Sequence, residues 1–105
     1  MIFEFTEENF DAEVLRSKIP VLVDFASKMC APCRSILPML EQLANEYKED
    51  IKIGKVDVSI FPMLGAKFGV EILPTLLFFS DGKVVERMIG VQPKNKIQNA
   101  IDEIE

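Results

Sequence analysis

A nearly continuous apolar run, Val21-Leu22-Val23-Asp24-Phe25-Ala26, and a second strand-like segment, Ile51 to Val58, flank a stretch in which Ile36, Leu40, Leu43 and Tyr47 recur at steps of four, three and four. The first run is rich in strand formers and nearly unbroken by polar residues, as expected of a strand covered on both faces of a parallel sheet, and the second segment reads as the next buried strand. The stripe between them lies on one face of a helix reaching about Glu49, with a kink expected at Pro38. Strand, helix and strand in this order make a crossover unit, which is right-handed and parallel for steric reasons. This unit restricts the chain to the α/β class.

The remaining segments build on that unit. A short strand over Ile2 to Phe5 precedes Thr6, a helix cap, and Phe10, Val14 and Leu15 give a first helix ending near Ser17 to Pro20. Phe61, Leu64 and Phe68 mark a short helix. Thr75 to Ser80 and Lys83 to Ile89 flank Asp81-Gly82, a turn signal that makes them an antiparallel hairpin. Pro93 opens a last helix that buries Ile97, Ala100, Ile101 and Ile104. The order β-α-β-α-β-α-β-β-α implies a three-layer α/β/α sandwich around a mixed sheet of about five strands. No repeat, low-complexity tract or linker interrupts the 105 residues, so residues 1–105 read as a single domain of ordinary globular composition, 49% hydrophobic and 28% charged.

Several function classes are disfavoured. With 17 acids against 12 bases, no histidine and a net charge of −5, the chain would repel a phosphate backbone, so no nucleic-acid partner is expected. No apolar run approaches bilayer length, so no membrane association is expected. The first ten residues, MIFEFTEENF, carry three glutamates and no base, unlike a secretory signal, and the expected location is the cytoplasm. Two cysteines three positions apart cannot form the multi-bridge framework of a secreted miniprotein.

The segment Cys30-Ala31-Pro32-Cys33 falls just past the carboxyl end of the first buried strand, where open α/β sheets build their sites. At the start of the long helix, Cys30 would sit beside unpartnered backbone N–H groups and the positive end of the helix dipole, which stabilise a thiolate and lower its pKa below the ~8.5 of a free thiol. Cysteines three apart on a first helical turn face the same side and can close a disulfide. In the cycle this allows, Cys30 attacks a substrate disulfide, Cys33 resolves the mixed disulfide, and a reductase restores the dithiol. Pro32 stiffens the loop between them. Three other readings are open. A structural bridge of this span would constrain the unfolded chain by only about 2 kcal/mol. Structural zinc takes four ligands, and one chain offers two cysteines and no histidine, so only a metal bridging two chains would fit and no metal is expected. Two inert buried thiols fit poorly at a strand-to-helix junction.

Asp24 interrupts a strand that should be buried, where desolvation raises a carboxyl pKa. It could take and return the Cys33 proton as a general base, or it could be a solvated or salt-bridged strand end. Lys55, on the neighbouring parallel strand, could reach it and lower the cost of its charge, or be an ordinary exposed lysine. Pro74 opens the hairpin, and local sequence does not decide its isomer.

Taken together, Val23-Asp24-Phe25, Cys30-x-Pro32-Cys33, Pro38, Lys55-Val56-Asp57-Val58, Leu73-Pro74-Thr75, Phe79, Gly82 and Gly90 resemble the thioredoxin family over nearly the whole chain. The resemblance implies a protein-disulfide reductase with Cys30 attacking and Cys33 resolving, a buried Asp24 with Lys55 near it, and a cis Pro74 beside the disulfide. It implies no bound cofactor besides the redox-active Cys30–Cys33 disulfide, a monomer, a thioredoxin reductase-like flavoprotein as electron donor, and disulfide-containing clients. Met29, Ala31, Pro32, Leu73, Pro74, Gly90 and Val91 would form a shallow apolar surface for an extended peptide. The chain departs from the family's usual Trp-Cys-Gly-Pro-Cys at Met29 and Ala31, and Ala26 stands where another tryptophan is common; the chain has no Trp. These departures change the docking surface and motivate two alternatives: a specialised protein with a dedicated reductase or client, and a non-catalytic binding subunit on the same scaffold.

Overall fold

The computed structural model describes residues 2–105. Its strands are β1 (Phe3–Glu4), β2 (Val21–Ala26), β3 (Lys52–Asp57), β4 (Thr75–Ser80) and β5 (Lys83–Ile89), and its helices are α1 (Ala31–Ser35), α2 (Leu37–Tyr47), α3 (Pro62–Lys67) and α4 (Lys94–Ile104). The sheet order is β1-β3-β2-β4-β5. β1 and β2 run parallel to β3, whereas β4 is antiparallel to both β2 and β5. The mixed five-stranded α/β architecture is the one the element order implies.

Strict alternation along the strands sends side chains to two separate cores. Leu22, Ile53, Leu76 and Phe78 meet Leu40 and Leu43 of α2 and Ile97 and Ile101 of α4 on one face. Val23, Phe25, Val56, Leu77 and Phe79 meet Phe10, Val14 and Leu64 on the other. All six residues of β2 are buried, because this strand is central and covered on both sides. Gly54 permits the close approach of β1: a Cβ there would lie 2.5 Å from the Phe5 ring and 2.8 Å from the Phe3 carbonyl oxygen.

Pro38 acts as the sequence implies. Lacking an N–H, it cannot bond the Arg34 carbonyl, and the helix divides at Ile36 into α1 and α2; the ladder resumes where Leu40 N–H donates to Ile36 O at 3.0 Å. α2 closes at Tyr47, two residues before the expected end, with Lys48 in the left-handed region at φ 46° and a short 3₁₀ turn over Lys48–Asp50. At the first helix, Thr6 does cap: Asn9 N–H donates to Thr6 Oγ1 at 3.2 Å and Thr6 N–H to Asn9 Oδ1 at 2.7 Å. The helix itself is only a wide turn over Asp11–Leu15, closed by Arg16 N–H to Asp11 O at 2.9 Å, which still seats Phe10 and Val14 in the core. Asp81 and Gly82, at φ 52° and 78°, make the tight hairpin turn between β4 and β5.

Candidate active site

The chain leaves the carboxyl end of β2 at Ala26, turns through residues 27–29 and enters α1 at Cys30. Cys30 is the N-cap, in extended conformation at φ −94° and ψ 108°, and its Sγ accepts the Cys33 backbone N–H at 3.2 Å. A sulfur in that position takes up one of the orphan donors of the helix start and faces the positive end of its dipole, an arrangement that favours thiolate over thiol. Pro32 sits in the first turn, where its missing N–H costs nothing. The loop is braced by Cys30 N–H to Ser27 O at 3.1 Å, Met29 N–H to Ser27 Oγ at 3.2 Å and the Arg34 guanidinium donating to Lys28 O at 2.6 Å.

Cys30 and Cys33 are joined by a disulfide with Cα atoms 5.2 Å apart. The two sulfurs are not equivalent: Cys33 is buried at 2% exposure, whereas Cys30 is partly accessible and is flanked by exposed Met29, Ala31 and Pro32. Met29 is 89% exposed.

Asp24 is fully buried in the middle of β2, and neither carboxylate oxygen has a hydrogen-bond partner among the described residues. Burial therefore raises its pKa from the ordinary 3.8 to about 7, with the Lys55 charge opposing the rise. Lys55 is its cross-strand partner in β3, and it acts through space rather than by direct contact. Lys55 and Cys33 line one surface cavity at the carboxyl ends of β2 and β3.

Pro74 is buried and follows a cis peptide bond. Because Thr75 pairs with Phe25, Pro74 lies alongside the carboxyl end of β2, from which the cysteine loop departs. Its carbonyl accepts Gly90 N–H at 2.8 Å, which brings Gly90, in the left-handed region at φ 81°, and exposed Val91 to the same end of the sheet as half-buried Leu73. Thr75, also buried, donates its hydroxyl to Ile72 O and fixes the turn before the proline. Sequence reasoning used Thr75 as part of the Leu73-Pro74-Thr75 motif but gave it no role in the site; the signal for that role was a hydroxyl immediately after Pro74, at the start of an apolar strand. Nor did it single out the cavity beside Cys33, whose signal was the small Ala26.

Among the described residues, no group of three or more His, Cys, Asp and Glu side chains is placed to hold a metal, and no helix is long and apolar enough to cross a membrane. The redox-active group is the Cys30–Cys33 disulfide.

The family model for Thioredoxin matches residues 1–103. The chain is 45% identical over 102 residues to Thioredoxin C-2 of Corynebacterium nephridii, covering 97% of this chain and 94% of that one. It is 43% identical over 101 residues to Thioredoxin of Chlorobaculum thiosulfatiphilum, covering 96% and 94%. With Thioredoxin M5, chloroplastic, of Oryza sativa subsp. japonica it shares 41% over 96 residues, which is 91% of this chain and 56% of that protein. With a capped, partly accessible Cys30 bonded to a buried Cys33 at the carboxyl end of a central strand, these similarities make the chain a member of the thioredoxin family and a thiol–disulfide oxidoreductase.

Proposed function

We propose that the chain is a general protein-disulfide reductase in which Cys30 attacks a client disulfide, Cys33 resolves the mixed disulfide, and a thioredoxin reductase-like flavoprotein restores the dithiol. The observation that carries the assignment of roles is the asymmetry of the pair: Cys30 Sγ is partly accessible and accepts a helix N–H, whereas Cys33 is buried behind it. Only the accessible sulfur can meet an incoming disulfide in line, and only the buried one is held for intramolecular attack.

In the first step Cys30 thiolate displaces one client sulfur, which leaves as thiolate and takes a proton from solvent. Cys33 then gives up its proton and attacks Cys30 Sγ, so the second client sulfur leaves and the protein holds the two-electron-oxidised Cys30–Cys33 disulfide. A carboxyl titrating at about 7 suits acceptance and return of that proton near neutral pH, and Asp24 is the buried group with this property on the cysteine side of the sheet. Lys55 tunes it by charge. Met29, Ala31, Pro32, Leu73, Pro74, Gly90 and Val91 form the docking surface in this reading, supported by the exposure of Met29, Ala31, Pro32 and Val91 around the sulfurs. The location proposed is the cytoplasm, where a glutathione and reductase background keeps such dithiols reduced; fractionation of tagged protein checks it.

Cys30→Ser should abolish dithiol-driven reduction of a protein disulfide, and Cys33→Ser should accumulate a client-linked mixed disulfide; full activity of Cys30→Ser would end this reading. The 89% exposure of Met29, where the family commonly has Trp, favours a second reading, a specialised protein with a dedicated reductase or client. Turnover with several flavoprotein reductases and clients separates the two: activity with one pair only supports the specialised reading.

A further inference from the structure

One row of side chains crosses three strands of the sheet as acid, base, acid. The register places Glu4 of β1 opposite Lys55 of β3, and Lys55 opposite Asp24 of β2. Asp24 lies two residues beyond Leu22, Lys55 two beyond Ile53 and Glu4 two beyond Ile2, so strand alternation sends all three to the face these apolar side chains share with α2 and α4. The close approach of β1 at Gly54 and the bond from Phe5 N–H to Lys55 O at 2.9 Å hold Glu4 in this position.

Burial falls along the row: Asp24 is fully buried, Lys55 half-buried and Glu4 exposed. Lys55 Nζ makes no hydrogen bond or ion pair with either carboxylate among the described residues, so the ammonium can lean toward one or the other. The elements over this face present apolar side chains, Leu76 from β4, Leu40 from α2 and Ile97 from α4. Besides the row itself, the titratable and charged groups around the cavity that Glu4, Lys55 and Cys33 line are Lys28, Arg34 and Asp57. Arg34 donates to the Lys28 carbonyl, and the Asp57 carboxylate is engaged by the Ser59 N–H at 2.9 Å and the Ser59 hydroxyl, with the Lys28 charge near it. The Glu4 carboxylate makes no hydrogen bond or ion pair among the described residues, which leaves it as the rival of Asp24 for Lys55.

We propose that Glu4 is a positioning residue, which draws the Lys55 ammonium toward the sheet edge and so keeps Asp24 from settling as a Lys55-paired carboxylate unable to return the Cys33 proton. This role rests on the reading of Asp24 as the group that takes and returns that proton. Desolvated and unpartnered, Asp24 titrates at about 7, and a Lys55 ammonium that moved closer would pull it down. Because Glu4 is exposed, its hold on Lys55 is that of a surface pair, enough to move the Asp24 midpoint by about half a unit, or about threefold in proton binding.

Carboxyl ¹³C chemical shifts of Asp24, followed by NMR through a pH titration of the oxidised protein, test this in the wild type, Glu4→Gln, Lys55→Gln and the double variant. Glu4→Gln should lower the Asp24 midpoint by about half a unit, and in the Lys55→Gln background the same substitution should shift it by less than about 0.2 unit. An unmoved or raised midpoint in Glu4→Gln overturns the role. An equal drop in both backgrounds overturns it too, because Glu4 then acts on Asp24 directly by charge and not through Lys55. If Lys55→Gln fails to fold, Lys55→Met supplies the second background. The pH profile of client disulfide reduction separates this role from the reading beneath it: the acid limb should move down with the Asp24 midpoint in Glu4→Gln. A midpoint that moves while the limb stays overturns Asp24 as the proton acceptor, whereas a midpoint that stays overturns Glu4 alone.

Discussion

Asp24→Asn should stabilise the protein at pH 8 and do almost nothing at pH 4. The substitution keeps the shape of the side chain and removes its charge, so the variant mimics protonated Asp24 at every pH. In the folded protein the carboxyl titrates at about 7, against 3.8 in the ordinary exposed state. Between these values the unfolded chain has released the proton and the folded chain still holds it, so stability falls as pH rises through this window. At about 1.4 kcal/mol per pH unit over about three units, the cost of ionising Asp24 in the fold reaches about 4 kcal/mol above pH 7. Below pH 3.8 both states hold the proton and the cost is absent. Urea unfolding of the oxidised wild type and variant, compared from pH 4 to 8.5, subtracts the contribution of every other titrating group. The difference should be near zero at the acid end, rise through the window and level off above pH 7. A difference that is flat with pH, or a wild type that gains on the variant as pH rises, would refute the claim that Asp24 is desolvated without a partner.

Gly54→Ala should destabilise by about 1–3 kcal/mol by chemical denaturation, because its Cβ would meet the Phe5 ring at 2.5 Å and the Phe3 carbonyl at 2.8 Å, forcing β1 away from β3. Leu40→Ala, at a position with 0% exposure where α2 packs on the sheet, should cost about 2–5 kcal/mol in the same assay, mostly through the cavity it leaves. Lys52→Met should cost about 1–2 kcal/mol in the same assay, because Lys52, at 16% exposure, loses bonds from Nζ to both the Glu13 carboxylate at 2.9 Å and the Glu13 carbonyl at 2.8 Å, the first weakened by the 41% exposure of Glu13; no loss at all would contradict this. Met29→Trp should change the KM for a folded client disulfide while leaving reduction of a small aromatic disulfide within about twofold, because Met29 lies beside the reacting sulfurs, on the proposed docking surface.

The architecture was legible because the central segments carry their environment in composition. β2 is apolar but for Asp24, and β4 is apolar between Thr75 and Ser80, since both faces of each are covered, and the stripe from Ile36 to Tyr47 sits on the sheet at Leu40 and Leu43. Pro38 and Asp81-Gly82 announced the helix break and the hairpin through φ restrictions local to those residues. The parts that were not legible depend on partners distant in sequence. The first helix is only a wide turn, although Phe10 and Val14 have helical spacing, because their burial is decided by Phe68, Phe79 and β2. Likewise Asp24 was visible as an anomaly in an apolar strand, but its lack of any hydrogen bond depends on where the β3 register puts Lys55. The cis bond at Pro74 is of the same kind: its neighbours come from β2 and Gly90, about fifty residues before it and sixteen after it.

The account stands or falls on whether Cys30 and Cys33 form a reversible dithiol that gives electrons to protein disulfides. Equilibrating the pair against defined thiol–disulfide buffers and quantifying the oxidised fraction by thiol alkylation measures this directly. A two-electron potential near about −270 mV, the value characteristic of thioredoxins, is the expected result. A potential near about −120 mV, or a bridge that no buffer reduces in the folded protein, would contradict the assignment as a reductase.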